Sequence, residues 1–217
     1  MNIVYFDDNI VVAVKPYGVL SASGNSDNND MISILKKEIS KEIYPVHRLD
    51  RTTGGLMVFA CNKESAAQLS AQISDHLFDK EYMVAAKGES DMDIGQMNDI
   101  IFFDRFKNKS YIVKKERKGA KKASLNYEKL EAADLQGYKA SLYKVKLLTG
   151  RTHQIRVQFA SRNMPLLGDR RYGSDYVSDD IAIWSYKIGF LDPKDKNYME
   201  FTSKPENDVF FKFNRLI

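Results

Sequence analysis

Four strand-like runs follow one another in the middle of the chain with only turn-rich or basic segments between them: "IIFFD", "SYIVKK", "ASLNYEKLE" and "YKASLYKVKLL". Runs of β-branched and aromatic residues at this spacing limit the fold to one built on a sheet. The same signal recurs at both ends. "IVYFDDNIVVAVKP" reads as two short strands broken by Asp7-Asp8-Asn9, with Pro16 and Gly18 ending the second, and "IAIWSYKIGF" and "NYMEFTS" close the chain as strands. "GLMVFAC" has the apolar content of a buried strand, and "KEYMVAAKG" returns to strand character after it. Helices interrupt this pattern without alternating with it. One is expected near Met31, capped by Asp30 after the polar loop "SASGNSDNND"; another follows Asn62, with Ala66, Leu69 and Ile73 on one face. "RTHQIRVQFA" reads as a third helix, with Thr152 as its cap and Ile155 and Phe159 stacked. The expected class is α+β, with a large, mostly antiparallel mixed sheet and flanking helices.

With 217 residues, 43% of them hydrophobic and 29% charged, the chain can bury a core without staples. No linker divides it, so residues 1–217 are expected to form one domain. The net charge of +4 permits a polyanionic partner without requiring one. Cys61 is the only cysteine, which excludes an intrachain disulfide and fits a reducing, cytoplasmic setting. No apolar run is long enough to span a bilayer, and "MNIVYFDDNI" lacks the features of a signal peptide.

Three stretches carry polar groups that core packing does not demand: Arg48-Leu49-Asp50 within "HRLDRTTGGL", Lys80-Glu81-Tyr82 at the start of a strand, and "TGRTHQIRVQ". Strand alternation puts Lys80, Tyr82 and Val84 on one face, and a helix would put Thr152 and Arg156 on one side. Each has a plainer explanation. Asp50 fits a cap for the turn after it, Tyr82 fits ordinary packing, and Arg151 and Arg156 fit solvated charges. His47, His76 and His153 show no His-x-x-x-His spacing, and there is no Cys-x-x-Cys, so a metal site is not expected. A P-loop and a Gly-x-Ser-x-Gly elbow are also missing.

"HRLDRTTGGL" closely resembles the motif around the catalytic aspartate of the RluA-type pseudouridine synthases. Four further segments resemble that family in the family's order: "IVYFDDNIVVAVKPYGVL", "DKEYMVAAKG", "LLTGRTHQIRVQFA" and "LLGDRRYG". Two positions depart from its pattern. Gly54 stands where the family usually has serine, and Gln158 where it often has histidine; both are expected to bear on RNA contacts. The basic S4 module that precedes the catalytic domain in some relatives is not expected here, because the family's opening strands start at Ile3.

The resemblance implies isomerisation of uridine in ribosomal or transfer RNA to pseudouridine. The N1–C1′ bond breaks, uracil rotates while held, and a C5–C1′ bond forms. The change is neither redox nor hydrolytic, so no cofactor is expected. Asp50 would supply the ionised carboxylate. Arg156 would be its cationic partner, opposing the tendency of a desolvated carboxylate to take up a proton. Tyr82 would bracket the base and Ile155 would line the pocket. Arg48, two residues from Asp50 in an extended segment, would fill the space left by a flipped nucleotide. Gly54 and Gly55 would allow a sharp turn or a close approach to RNA. Arg151 and His153 are expected RNA contacts. So is the run from 105 to 122, which holds nine Lys or Arg against one acidic residue. Lys114, Lys115, Lys118, Lys121 and Lys122 are its candidate phosphate contacts, with Phe106 and Tyr111 adding stacking. The protein is expected to act on RNA as a monomer, with no membrane partner.

Two other classes fit the bare residues. A non-catalytic RNA-binding or ribosome-assembly factor would tolerate loss of Asp50, Tyr82 or Arg156, and all three are intact. A nucleoside hydrolase typically wants two catalytic carboxylates, and the motifs supply one.

Overall fold

A computed structural model describes residues 2–22 and 29–216; most of the polar loop expected over 21–30 lies outside them. The chain divides into two compact units. One comprises Met1–Lys80 and Trp184–Pro205, the other Glu81–Ile183 and Glu206–Ile217.

The first unit begins with β1 (Ile3–Phe6) and β2 (Ile10–Lys15), paired antiparallel across a turn in which the Asp7 carboxylate accepts from the backbone N–H groups of Asn9 and Ile10. Helix α1 (Met31–Ile39) is capped as expected: Asp30 accepts from the backbone of Ile32 and Ser33. Strand β3 (Tyr44–Pro45) pairs antiparallel with β4 (Gly54–Ala60), and β4 also pairs with β2. All of β2 and β4 is buried, which is why both read as unbroken apolar runs. Helix α2 (Lys63–Ser74) starts at Asn62, whose side chain accepts from the Ser65 N–H. Leu69 is buried on the expected face with Ala66 and Ile73 half-buried, and Gln72 joins them because it exchanges two hydrogen bonds with the backbone of Leu191.

The second unit holds β5 (Asp79–Lys87), β6 (Ile94–Asp104), β7 (Lys109–Ile112), β8 (Ala120–Asp134), β9 (Lys139–Leu147) and helix α3 (Gln154–Ala160). Its pairings β5–β9, β9–β8, β8–β6 and β6–β7 are all antiparallel. Ile101 and Ala123 on its strands pack with Val157 of α3 in a buried cluster. The chain then returns to the first unit as β10 (Ile183–Leu191) and β11 (Tyr198–Thr202), which pair antiparallel, while β10 meets β4 in a short parallel pairing. The class is α+β with mostly antiparallel pairing, as expected. Among the described residues, no helix is long and apolar enough to cross a membrane.

The start of α3 differs from expectation. Thr152 lies outside the helix and does not cap it. His153 occupies the cap position in a left-handed conformation, φ 53°, with no side-chain cap bond. The entry is fixed instead by Gln154, whose Oε1 accepts from the Arg151 N–H and the Thr149 hydroxyl while its Nε2 donates to the Ser124 carbonyl. With the helix starting at Gln154, Thr152 and Arg156 are not a turn apart on one helical face.

Candidate active site

In the first unit, the segment 47–53 links β3 to β4 and is held by the loop that follows β2. The Lys15 side chain is fully buried, and its Nζ donates to the carbonyls of Pro16 at 2.8 Å, Val19 at 2.7 Å and Arg51 at 3.4 Å. The backbone N–H of Gly18 donates to the Arg51 carbonyl, and Arg51 Nε donates to the Gly18 carbonyl. One residue before Asp50, the Ser21 hydroxyl donates to the Leu49 carbonyl and accepts from the Leu49 N–H. The residues on both sides of Asp50 are thus tied to a single loop. Sequence reasoning misses Lys15, although a lysine ending a wholly apolar strand before Pro-x-Gly is a signal for it.

Within this segment Leu49 is buried, Arg48 is exposed and Asp50 is half-buried, which is the alternation an extended chain produces. The Asp50 carbonyl accepts from the Thr53 N–H, closing the turn. A cleft of about 420 Å³ opens beside the loop, lined by Leu20, Pro45, Val46, His47, Arg48 and Arg51 among others.

His47 faces the interior. Its Nε2 accepts from the Val58 N–H, its ring lies against Phe78, and its Nδ1 is buried with no hydrogen-bond partner among the described residues. Burial, and to a lesser degree the charge of Lys80, pushes its pKa well below the usual imidazole range, so it is neutral at pH 7. Burial also lowers the Lys80 ammonium to about 8. Among the described residues, no cluster of three or more His, Cys, Asp or Glu could hold a metal ion.

The two glycines of the motif lie close against β10. A Cβ on Gly54 would lie 2.4 Å from the Trp184 ring, and one on Gly55, where φ is 110°, would lie 2.4 Å from the Ser185 carbonyl. Trp184, fully buried and donating its indole N–H to the Ser203 carbonyl, fills the space beside Gly54.

In the second unit, Tyr82 on β5 is buried opposite Val145 of β9. Both faces of β5 are covered from Tyr82 to Ala86, so alternation does not set its face apart by burial. Ile155 and Arg156 are buried on α3. Arg156 Nε donates to Asp169 Oδ2 at 2.6 Å and its Nη2 to Asp169 Oδ1 at 2.8 Å. His153 is buried, with Nδ1 3.0 Å from the Tyr172 hydroxyl and Phe103 edge-on to its ring. Arg151 Nε donates to the Lys122 carbonyl. Gln158 is fully buried, its Nε2 donating to the Met97 carbonyl and to Asp99. The second departure from the family pattern is therefore an interior substitution.

The basic run forms the β6–β7 hairpin and the loop into β8. Phe106 stands fully exposed at the hairpin tip between exposed Arg105 and Lys107, and Lys114, Lys115, Lys118, Lys121 and Lys122 are all exposed. Lys122 reaches Glu116 at 3.6 Å, and the Arg117 guanidinium covers the Phe102 ring at 4.0 Å.

Residues 9–161 match the RNA pseudouridylate synthase family. The chain is 34% identical to ribosomal large subunit pseudouridine synthase D of Borreliella burgdorferi, over 98% of its own length and 68% of that protein's. It is 31% identical to tRNA pseudouridine synthase C of Haemophilus ducreyi, over 80% and 74%, and 30% identical to the dual-specificity synthase RluA of Pasteurella multocida, over 94% and 93%. Among solved structures, human RNA pseudouridylate synthase domain containing 1 superposes with a TM-score of 0.79 over 94% of this chain and 83% of that one, at 21% identity, which speaks for the fold. The chain belongs to the RNA pseudouridylate synthase family, in its RluA branch. It is an RNA pseudouridine synthase, an isomerase.

Proposed function

We propose that this enzyme isomerises uridines in ribosomal or transfer RNA, with Asp50 as the carboxylate that acts on a flipped nucleotide. The observation that carries the reading is the double anchoring around Asp50: Leu49 is held by Ser21, and Arg51 by Lys15 and Gly18. A carboxylate on a segment fixed at both flanks is pre-organised for a reaction whose demand is positioning. Relatives named for large-subunit ribosomal RNA and for tRNA support the substrate class.

In this reading the exposed Arg48 side chain occupies the gap left by the flipped uridine, a move that costs least in unpaired RNA. Tyr82 brackets the detached uracil, Ile155 lines the pocket, and Arg156 favours the ionised carboxylate. Arg151, His153 and the 105–122 segment serve RNA binding. His153 does so by shaping the surface, because its ring is buried and bonded to Tyr172. The whole works as one catalytic domain, a monomer in the cytoplasm.

The test is Asp50→Asn, assayed on total RNA from cells lacking the protein, with pseudouridine mapped by position. The variant is expected to fold, to retain most RNA affinity and to form no pseudouridine. Substantial remaining activity would remove Asp50 from the mechanism. If no uridine in ribosomal or transfer RNA depends on the wild-type protein, the substrate class is wrong.

A further inference from the structure

We propose that Asp169 and Tyr172 are positioning residues for Arg156, fixing the orientation of its guanidinium and tying it to the β6–β7 hairpin. The proposal rests on the reading that Arg156 serves the reaction.

Arg156 is gripped from two sides within the second unit. Asp169 takes the Nε edge side-on through both carboxylate oxygens, and the two side chains are 5% and 0% exposed. Two parallel charge-assisted bonds fix the plane of a guanidinium as well as its distance. The Tyr172 ring lies 5.1 Å from its central carbon. Asp169 is itself immobilised: its N–H donates to the Leu166 carbonyl, and its own carbonyl accepts from the N–H groups of Tyr172 and Ser174. The preceding Gly168 has φ 80° and sits where a Cβ would lie 2.4 Å from the Asp180 carbonyl, so the turn carrying Asp169 has little freedom to shift.

The Tyr172 hydroxyl reaches the other way. It accepts from the Ser110 N–H at 2.8 Å on β7, and lies 3.3 Å from the Ser110 carbonyl and 3.0 Å from His153 Nδ1. The Ser110 hydroxyl donates to the Thr152 carbonyl, just before α3. One residue before Tyr172, Arg171 donates to the carbonyls of Lys107 and Asn108 in the hairpin turn. The short 3-10 turn Arg170–Tyr172 therefore bolts the basic hairpin to the start of the helix that carries Arg156. A buried ion pair adds little net stability over an apolar pair of the same size. What this one supplies is a fixed direction for a cation.

The experiment is a mutant cycle read by single-turnover rate at saturating RNA, using Asp169→Asn, Arg156→Lys and the double variant. Asp169→Asn is expected to slow turnover roughly a hundredfold, the scale of loss from a misplaced group, while RNA affinity stays near wild type. Because Asp169 acts through Arg156, it should cost almost nothing further in the Arg156→Lys background. Nitrogen-15 NMR of the arginine side chains gives a readout apart from activity: the Arg156 Nε–H should exchange slowly in wild type and rapidly in Asp169→Asn. If the two rate losses multiply in full, Asp169 is a general structural residue and the proposal is wrong. It is equally wrong if the Nε–H loses protection while the rate holds. Wild-type turnover in Arg156→Lys beside a slow Asp169→Asn would instead overturn the catalytic reading of Arg156. Should Asp169→Asn fail to fold, Tyr172→Phe runs the same cycle, since it keeps the ring and removes only the hydroxyl.

Discussion

Arg156 and Asp169 form a side-on ion pair in which the carboxylate side chain has no solvent exposure at all. Within its own unit Arg156 thus has a fixed carboxylate partner. The pairing also sets a stability expectation. Arg156→Met leaves a buried carboxylate without its cation, which costs about 3–5 kcal/mol, whereas Arg156→Met combined with Asp169→Leu should recover most of the loss. Urea unfolding measures both. A double variant no more stable than the single one would show that the pair matters by shape alone.

The contact between Gly54 and Trp184 leads to a second expectation. A methyl at position 54 meets the indole ring at 2.4 Å, and the ring is held in place by its bond to Ser203. Gly54→Ala should destabilise the protein by about 1–3 kcal/mol, the usual cost of overpacking. It should also lower turnover, because β4 begins four residues after Asp50. Gly54→Ser paired with Trp184→Leu restores room and should regain stability relative to Gly54→Ser alone. Chemical denaturation of the set decides it, and an unperturbed Gly54→Ala would mean that the β4–β10 pairing gives way easily.

His47 and Lys80 make stability depend on pH in two separate windows. Burial holds the His47 imidazole well below 6.5, so on acidification the unfolded chain takes up a proton that the fold refuses. Stability from this group is present above 6.5 and is lost as pH falls below it. Lys80 titrates at about 8 in the fold against 10.5 unfolded, because burial disfavours the ammonium. Between those values the unfolded chain holds more protons, so stability rises with pH, by up to about 3 kcal/mol at 1.36 kcal/mol per unit. Lys80→Met should abolish the alkaline rise and be the more stable protein below pH 8. Urea midpoints across the range read this out, and parallel curves for the variant and wild type would refute the shift.

The fold is most legible in the sequence where one physical signal dominates. The caps Asp30 and Asn62 stand directly before apolar periodicity, and both are caps. β2 and β4 read as buried strands because nearly every residue is apolar. The start of α3 is misread because Thr152 has the chemistry of a cap, while the position is set by long-range bonds from Gln154 to Thr149 and Ser124 that spacing does not reveal. The same limit hides Lys15, Asp169 and Tyr172. A buried lysine satisfied by three carbonyls and a tyrosine bonded to a strand some sixty residues away look like surface residues until the chain is folded. The motif glycines are legible as tight positions, but their neighbour, β10, lies about 130 residues further along the chain.

The exposed lysines of the loop after β7 should carry RNA affinity and leave the chemistry alone. Lys114, Lys115, Lys118, Lys121 and Lys122 all face solvent, and among the described residues only Lys122 is paired with a carboxylate, Glu116, at 3.6 Å. An exposed pair at that distance contributes little, so these ammonium groups remain available to phosphates. Lys121 and Lys122 are consecutive on β8 and point to opposite faces, so a single RNA strand is expected to meet one of them. Each phosphate neutralised contributes a slope of roughly −0.7 in log K against log salt on single strands and roughly −0.9 on duplex. Changing all five to Gln should weaken binding and flatten that slope by the equivalent of about three to four contacts. The single-turnover rate at saturating RNA should fall far less. Affinity measured across a salt series, with rates alongside, separates the outcomes. Unchanged affinity and slope would make the run a solvated face. A collapsed rate at unchanged affinity would place these lysines in the chemistry itself.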